Sequence, residues 1–452
     1  MAEALVRFLM NQAVEIPGDD PAPLFGGVWA IFGHGNVAGL GPALHAVRRK
    51  LPTLRAHNEQ AMAHAAIAFA KAHARRRMMA CTSSIGPGAS NMVTAAAVAH
   101  VNRLPVLFLP GDVFASRRPD PVLQQLEDFR DPGASVNDCF RPVSRYFDRI
   151  MRPEQLLVSL PAALRVLLDP ADCGPVTLAL PQDVQTEAYD YPAEFFRRRV
   201  NRIRKPLPDA SEAEAVSKAL RAAKRPLVIA GGGVKYALAE KRLAAFAQAH
   251  GLPVAETQAG KGSLAWDHAC NVGAIGVTGS QAANALAARA DLVLAIGTRL
   301  GDFATGSRTL FPAAKLVQLN VEAFDAAKHG ALPLVADAEA GLEALGRALE
   351  GWRAAAAWTA EAGLLSRRWN GEVERIIAPE GNRPKAGNPS DAQVLGAVNS
   401  LLPKNSAVVC AAGGLPGELH KLWRATDSTS YHLEYGYSCM GYEIAGGLGV
   451  KL

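Results

Sequence analysis

Short apolar segments alternate with Ala- and Leu-rich segments along the first 190 residues, and this alternation limits the possible folds more than any other feature. The apolar segments predict strands at 28–32, 78–82, 106–109 and 176–180. The Ala- and Leu-rich segments predict helices at 42–49, 58–73, 91–101 and 153–168. Such alternation is typical of a parallel sheet covered by helices.

The same alternation returns twice further along the chain. It predicts strands at 227–230, 292–296 and 317–320, a helical region at 345–372, a helix at 391–402 and a strand at 407–410. Proline-rich, aperiodic stretches at 191–208 and 376–390 predict linkers. We therefore predict an α/β fold of three consecutive parallel-sheet domains, at 1–190, 209–350 and 388–452.

The third predicted domain is short. Each strand–helix–strand unit takes about 30 residues, and the segment 388–452 offers too few residues to close a sheet. We expect this domain to be incomplete and the chain to be truncated at its C-terminal end.

The composition is that of an ordinary globular enzyme, with 49% hydrophobic and 20% charged residues. The formal charge of +6 comes largely from arginines in separate clusters at 75–77 and 197–204, and only 6% of the residues are aromatic. Nucleic-acid binding favours basic residues on one face with aromatic side chains among them. The sequence therefore does not favour a nucleic-acid partner.

Cysteine usage and apolar runs bear on location. The six cysteines are scattered, without a C-x-x-C pair or metal-ligand spacing, which is typical of reduced thiols in the cytosol. The N-terminal residues lack the basic and apolar regions of a signal peptide. No apolar run approaches the length of about 18 residues that a membrane span needs. We expect a cytoplasmic protein that does not interact with membranes.

Glu59 is the carboxylate with the most suggestive position. It follows Asn58, a good N-cap, at the start of the predicted helix 58–73. The simpler interpretation is that the acid stabilises the positive end of the helix dipole, which also favours its ionised form. An apolar ligand packed against the carboxyl group would favour the protonated form instead. The residues alone leave a structural and a catalytic role open.

Glycine-rich loops follow two predicted strands, at the sheet edge where open α/β folds bind ligands. The loop 33–41 has Ala38 where a dinucleotide-binding fingerprint has its third glycine, and no acid closes a second strand at the required distance. After the glycines at 231–233, Tyr236 fills the corresponding position, and we predict a tight turn with positive φ. Dinucleotide binding is the weaker alternative.

Three histidines, His34, His57 and His64, lie in or near these segments. Their scattered positions do not indicate a metal site, and we predict no metal ligands in this chain. His34, in the loop after the first predicted strand, is a candidate for donating a hydrogen bond to a bound oxyanion.

Together these segments resemble the acetohydroxyacid-synthase-like superfamily of enzymes that depend on thiamine diphosphate (ThDP). Residues 58–61 resemble its H-E-x-x-A signature, 84–91 its S-G-P-G-A-T-N turn, 104–112 the strand after that turn and 225–340 its central, non-catalytic domain. Longer strings lie at 32–39, 55–62, 80–88, 110–128, 141–145 and 434–442. These are similar to one family within it, the 3D-(3,5/4)-trihydroxycyclohexane-1,2-dione hydrolases of inositol catabolism, and the resemblance covers essentially the whole chain.

The resemblance implies a ThDP site. Glu59 would hydrogen-bond the pyrimidine ring and promote removal of the thiazolium C2 proton. Met440 would be the bulky apolar residue beneath the bent cofactor, although core packing also explains its residue type. The backbone of Ser438 and Met440 would bond the pyrimidine edge. The residues predicted to contact the cofactor are Gly35, Asn36, Pro87, Gly88, Asn91, Ser438 and Met440.

The implied reaction cleaves the C–C bond between two adjacent carbonyls of a polyhydroxylated cyclic dione, and water opens the ring to 5-deoxy-glucuronate. The cofactor stabilises the acyl carbanion, and the protein positions the cofactor. Glu59 and His34 are the predicted catalytic residues. His34, Asn36 and Asp112 are also candidates for contacting substrate hydroxyls and for proton transfer.

One departure from the family concerns Mg²⁺. The family's G-D-G motif supplies an Asp that, with a later Asn, holds the metal, but no Gly-Asp-Gly occurs in this sequence, and we expect the ligands beyond residue 452. Because the metal connects the diphosphate to the protein, we expect the 452-residue chain to bind ThDP poorly and to be inactive alone.

Two alternatives stay open. An acetolactate-synthase-type carboligase would share the activating residues, and a truncated non-catalytic chain could act as a partner for full-length subunits. Since family members place the active site at a subunit interface, the resemblance also implies a homodimer or homotetramer.

Overall fold

The computed structural model describes residues 1–119, 122–126, 128–378, 388–403, 405–411 and 413–452. They form two compact units, one of residues 1–204 with 436–452 and the other of residues 205–435. The predicted third domain, 388–452, is divided between these units, so its status as a domain stays a prediction. Within the predicted linker 376–390, residues 379–387 lie outside the described part of the chain.

The first unit is an α/β unit. Its strands are β1 (Gln12–Val14), β2 (Ala22–Pro23), β3 (Phe25–Ala30), β4 (Thr53–Arg55), β5 (Met78–Ser83), β6 (Leu107–Asp112), β7 (Tyr146–Arg149), β8 (Val176–Pro181) and β9 (Arg199–Asn201). Its helices are α1 (Ala2–Met10), α2 (Leu40–Val47), α3 (Glu59–Ala72), α4 (Pro87–Ser90), α5 (Val93–Asn102), α6 (Leu156–Leu167) and α17 (Tyr442–Lys451). Short 3₁₀ helices lie at Val136–Val143, Pro153–Gln155, Val184–Thr186 and Ala193–Phe196.

A six-stranded parallel sheet with the order β4-β3-β5-β6-β8-β7 forms the centre of this unit. Every residue of β5, β6 and β8 is buried, as expected for a parallel sheet covered on both faces. The four strands predicted from the sequence are β3, β5, β6 and β8. The predicted α/β class and the parallel sheet are confirmed.

Helix α3 is buried at every position from Met62 to Ala70. It contacts both β5 and α17. A Cβ on Gly449 of α17 would lie 2.1 Å from the carbonyl oxygen of Ala65, so glycine at this position permits the close approach of the two helices. The alanine-rich composition of α3 thus reflects packing on more than one side.

The second unit repeats the architecture. Its strands are β10 (Pro226–Ala230), β11 (Val254–Glu256), β12 (Asn271–Ala274), β13 (Leu292–Ile296), β14 (Lys315–Asn320), β15 (Leu332–Val335), β16 (Val408–Cys410) and β17 (Tyr431–Leu433). Its helices are α7 (Ala210–Ala222), α8 (Gly232–Tyr236), α9 (Glu240–His250), α10 (Gln281–Arg289), α11 (Asp302–Thr305), α12 (Ala323–Ala326), α13 (Ala338–Ala348), α14 (Ala356–Ile377), α15 (Asp391–Leu401) and α16 (Gly414–Leu422), with a 3₁₀ turn at Lys328–Gly330. The large parallel sheet has the order β12-β11-β10-β13-β14-β15, and β16 pairs with β17 in parallel.

One prediction about local structure holds in part and another is wrong. The boundary between the two units lies inside the predicted linker 191–208, but this stretch also contains β9, which pairs with β1, and Phe195, whose ring stacks on Phe8 at 4.9 Å. The predicted helical region 345–372 is interrupted between α13 and α14, where Gly351 has a φ of +74°. A left-handed residue cannot continue a right-handed helix, so the chain turns there.

Among the described helices, none combines the length and the apolar character that crossing a membrane requires.

Candidate functional site

Three loops meet at the carboxyl end of the first sheet, where open α/β folds place their ligands. They follow β3, β5 and β6, which are neighbours in the sheet. The N–H of Gly35 donates to Ser84 Oγ at 3.3 Å. A Cβ on Gly111 would lie 2.6 Å from the carbonyl oxygen of Gly35, so glycine at 111 permits this contact between β6 and the first loop.

Glu59 is the first residue of α3. The Asn58 side chain accepts a hydrogen bond from the N–H of Ala61 at 2.9 Å, which confirms the predicted N-cap. Glu59 is half-buried, and its Oε2 accepts from Asn91 Nδ2 at 2.9 Å. Among the described residues, Asn91 is the only hydrogen-bond partner of this carboxylate. One oxygen is therefore oriented by the protein, and Oε1 accepts no hydrogen bond from the described residues.

The loop after β5 brings Asn91 to Glu59 through a sharp turn. Gly86 has a φ of +69°, in the left-handed region that favours glycine, and Pro87 then occupies the first position of α4. A Cβ on Gly88 would lie 3.0 Å from Glu59 Oε1. Gly88 and Asn91 thus border Glu59, with Pro87 in the same turn, and their contacts with a cofactor stay predictions.

Asn36 holds the loop after β3 in place. Its side chain is 1% exposed, and its Nδ2 donates to the carbonyl of Ile31 at 3.1 Å and to Thr82 Oγ1 at 3.2 Å. Its Oδ1 accepts from the N–H of Gly33 at 3.0 Å. Both amide protons are used internally, so the side chain holds the loop, and its predicted contact with substrate hydroxyls stays a prediction. A backbone contact of Gly35 or Asn36 with a cofactor stays a prediction.

His34 joins the loops that follow β3 and β6. It is half-buried, and its Nε2 lies 3.1 Å from the carbonyl oxygen of Leu123. Only a protonated Nε2 can donate to that carbonyl, which assigns the tautomer of the neutral ring. A hydrogen bond from His34 to an oxyanion would require this contact to open, and it stays a prediction.

Asp112, the last residue of β6, belongs to a buried ionic network. Its side chain is 0% exposed; Oδ2 accepts from Arg149 Nε at 2.6 Å and Oδ1 from Ser135 Oγ at 2.5 Å. Arg149 also donates to both carboxylate oxygens of Asp138 at 3.2 Å. Burial opposes the charge of Arg149, but Asp112 and Asp138 outweigh it and raise the pKa of the guanidinium. The predicted contact of Asp112 with substrate is therefore wrong, since its carboxylate is fully engaged inside the protein.

Ser438 and Met440 lie in the loop before α17. Both are exposed, Met440 by 86%. The alternative that Met440 packs in the core is therefore wrong. Because α17 packs on α3, the loop and Glu59 belong to the same compact unit. The predicted cofactor contacts of Ser438 and Met440 stay predictions.

Sequence reasoning missed the residues that support the site from behind. Gln185 Nε2 donates to the carbonyl of Gly35 at 2.7 Å, and Arg149 neutralises Asp112. Both partners are distant in sequence, and no local pattern indicates them. The capping box of Ser135 and Asp138 follows the S-x-x-D pattern and could have been found.

In the second unit, the glycine-rich turn after β10 serves packing. Gly231 has a φ of −111°, and no residue from 231 to 233 has positive φ, so that prediction is wrong. A Cβ on Gly231 would lie 2.4 Å from the carbonyl oxygen of Gly297, and one on Gly233 would lie 2.6 Å from Gly297 Cα. Glycine is needed here because the turns after β10 and β13 touch, and dinucleotide binding gains no support.

The carboxyl end of β11 in the same unit is filled by the protein's own groups. Glu256 is 2% exposed, and its Oε1 accepts from the N–H groups of Gly262 at 3.1 Å and Leu264 at 2.9 Å. Burial raises the pKa of Glu256, and the charge of Lys261 opposes this. Burial lowers the pKa of Lys261 to about 8. The Glu256 carboxylate therefore stabilises the fold.

The groups around Glu59 fit a pyrimidine ring. A carboxylate accepts hydrogen bonds from a protonated ring nitrogen, and glycine at position 88 avoids a Cβ that would lie 3.0 Å from Oε1. Across the described ranges of the chain, no group of three or more His, Cys, Asp or Glu side chains is placed to hold a metal ion.

Comparisons with known proteins identify the family. The thiamine pyrophosphate enzyme N-terminal TPP binding domain matches residues 27–131, and the central domain of the same enzymes matches residues 213–345. A protein of Geobacillus thermodenitrificans named 3D-(3,5/4)-trihydroxycyclohexane-1,2-dione hydrolase is 48% identical over 100% of this chain and 73% of its own. A protein of the same name from Bacillus anthracis and hydrolase 2 of Bacillus cereus are 47% and 46% identical, with the same coverage. The chain belongs to this hydrolase family.

Within the trihydroxycyclohexane-1,2-dione hydrolase family, the site lies where the TPP-binding match lies. Residues 27–131 include Glu59, Gly88 and Asn91, whereas the buried Glu256 lies in the central-domain match. The predicted family and the predicted ThDP superfamily are confirmed.

Proposed function

We propose that this protein is a ThDP-dependent hydrolase that opens the ring of trihydroxycyclohexane-1,2-dione. The observation that carries the proposal is the placement of Glu59, whose Oε2 is held by Asn91 and whose Oε1 lies beside Gly88. The whole chain is 46–48% identical to proteins named for that reaction, which favours the hydrolase over a carboligase. Addition of water across the bond between the two carbonyls gives 5-deoxy-glucuronate.

The residues of the site have distinct proposed roles. Bound ThDP supplies the electron sink for the acyl carbon. Glu59 holds a proton between Oε1 and the pyrimidine ring nitrogen, which is the work of a general acid–base group. The exposed Met440 and the backbone of Ser438 hold the pyrimidine ring, and His34 is the candidate donor to the oxyanion of the substrate.

We include Mg²⁺ in the proposed cofactor complex because a diphosphate is held best by a hard cation with oxygen ligands. A cytoplasmic location is supported by the six cysteines, which are all free thiols.

A homodimer or homotetramer is supported by exposed apolar side chains beside the site. Ile444 and Leu448, one turn apart on α17, are 84% and 49% exposed, and Met440 precedes them. Contiguous apolar surface of this kind marks an interaction site.

The test compares two substrates with the protein purified from its natural source, with and without ThDP and Mg²⁺. The dione should be consumed and 5-deoxy-glucuronate should appear only when ThDP is present, while pyruvate is left unchanged. Formation of acetolactate from pyruvate without turnover of the dione would establish the carboligase instead. Turnover of neither substrate would contradict the proposal and favour a non-catalytic partner subunit.

A further inference from the structure

We propose that Asn91 is a positioning residue for Glu59, and that glycine at position 88 keeps the second carboxylate oxygen accessible. The inference rests on the proposed role of Glu59. Asn91 and Gly88 then act on the Glu59 carboxylate and do not contact the cofactor directly.

The hydrogen bond between the two side chains joins separate elements. Glu59 begins α3, and Asn91 follows α4, where its backbone N–H donates to the carbonyl of Pro87 at 3.1 Å. The turn of α4 therefore fixes the backbone from which the Asn91 amide reaches Glu59 Oε2 at 2.9 Å. Both residues are half-buried, so water competes less for this bond than at an open surface.

A primary amide suits this position because its NH₂ group only donates and a carboxylate only accepts. With Oε2 held, the rotation of the Glu59 side chain is restricted. Oε1 then has a defined direction, which matters because a reacting group displaced by 1 Å loses much of its effect.

Gly88 completes the arrangement. Its φ is not positive, so the backbone conformation does not itself require glycine. The reason for glycine lies in the neighbour, because a Cβ would lie 3.0 Å from Glu59 Oε1 and the carboxylate would have to shift to make room for it. The spacing Gly88-x-x-Asn91 thus places a residue without a side chain beside one carboxylate oxygen and a donor at the other.

Two substitutions of Asn91 separate positioning from packing. Asn91→Ala removes the donor and part of the volume. Asn91→Asp keeps the shape and replaces the donor with a second carboxylate, which repels Glu59. The matched control is Asn102→Ala at the far end of α5, because the Asn102 amide donates to the carbonyl of Val98 at 2.8 Å.

The first readout is the position of the Glu59 side chain in crystal structures of the variants without ThDP. Without the hydrogen bond to Oε2, the carboxylate should leave its wild-type position in Asn91→Ala and in Asn91→Asp. It should keep that position in Asn102→Ala.

The second readout is turnover of the dione at saturating ThDP. Losing one hydrogen bond to a charged group should lower kcat about 10- to 100-fold in Asn91→Ala, with little change in KM. Asn91→Asp should lower kcat further, and the acid limb of the pH profile of kcat should move toward neutral pH in this variant. Gly88→Ala should lower kcat and leave the hydrogen bond between Asn91 and Glu59 in place.

An Asn91→Asp variant that matches the wild type in the position of Glu59 and in kcat would overturn the inference, since a packing role needs only the shape. If Asn91→Ala fails to fold, the isosteric Asn91→Asp decides. A wild-type protein that does not turn over the dione would refute the proposed function, whereas the crystal structures would still decide the coupling of Asn91 to Glu59.

Discussion

The two large parallel sheets have the same architecture but differ in the burial and the hydrogen bonds of a carboxylate near the edge of each. Glu59 in the first unit is half-buried and has one hydrogen-bond partner among the described residues. Glu256 in the second unit is 2% exposed and accepts from two backbone N–H groups within its own loop. The Glu59 carboxylate therefore keeps one oxygen without a hydrogen-bond partner in the described part of the chain, whereas the Glu256 carboxylate closes a loop. The parallel sheet does not decide this difference; the loops that follow its strands do.

Replacing Glu59, the carboxylate near the edge of the first sheet, should have the largest effect on activity. We expect Glu59→Gln to lower kcat by about 10² to 10⁴ because general acid–base groups contribute factors of that size. Its free energy of unfolding should stay near that of the wild type. Steady-state assays and urea denaturation check the two parts, and a Glu59→Gln variant with normal kcat would remove the distinction between the edges.

Replacing Glu256, the carboxylate near the edge of the second sheet, should mainly lower the stability of the protein. Glu256→Ala leaves the N–H groups of Gly262 and Leu264 without their acceptor and leaves Lys261 buried without its neighbouring charge. We expect a loss of about 3–5 kcal/mol in the free energy of unfolding. The same measurement on Glu59→Ala is the control, and equal losses for both would contradict the comparison.

The first unit should lose stability in acid through His64. Burial lowers its pKa from the ordinary 6.5 to about 4, so the unfolded chain binds more protons between these values. The contribution of His64 to the free energy of unfolding is fully present above pH 6.5. It falls as the pH approaches 4, by about 3 kcal/mol in total. Unfolding titrations of the wild type and His64→Leu from pH 7.5 to 4 should diverge by that amount, and parallel curves would refute it.

Replacing His420, a buried histidine of the second unit, should lower the free energy of unfolding more than replacing His64. His420 Nδ1 lies 2.9 Å from Thr278 Oγ1, and its Nε2 lies 3.1 Å from the carbonyl oxygen of Glu256. His64 Nε2 has no hydrogen-bond partner among the described residues. We expect His420→Leu to cost about 2 kcal/mol at pH 7.5, and His64→Leu to cost less than half of that. Thermal unfolding of the two variants measures the difference, and a reversed order would be a contradiction.

Local patterns predicted the parts of the fold that depend on neighbours in sequence. The apolar runs marked β5 and β8, and Asn58 before Glu59 marked the start of α3. Pairing between distant segments was invisible. Strand β9 lies within the predicted linker, because no local pattern indicates its pairing with β1 near the N-terminus.

The same limit applies to the site. Glu59 was found because it begins a helix and because its surroundings resemble a known signature. Asp112 was misassigned because its partner Arg149 lies 37 residues away and gives no local sign of pairing. The glycines at 231 and 233 were attributed to positive φ, although the requirement comes from the backbone of Gly297. Contacts across the sheet decide whether a polar residue near a strand end faces a ligand or the interior.

The most direct test is a crystal structure of the protein with ThDP bound, read at the carboxylate of Glu59. We expect a pyrimidine ring nitrogen at hydrogen-bond distance from Oε1, about 2.6–3.2 Å, with Oε2 still accepting from Asn91. Bound ThDP whose pyrimidine ring lies out of reach of Glu59 would contradict this expectation, because Glu59 would then have no role in activating the cofactor.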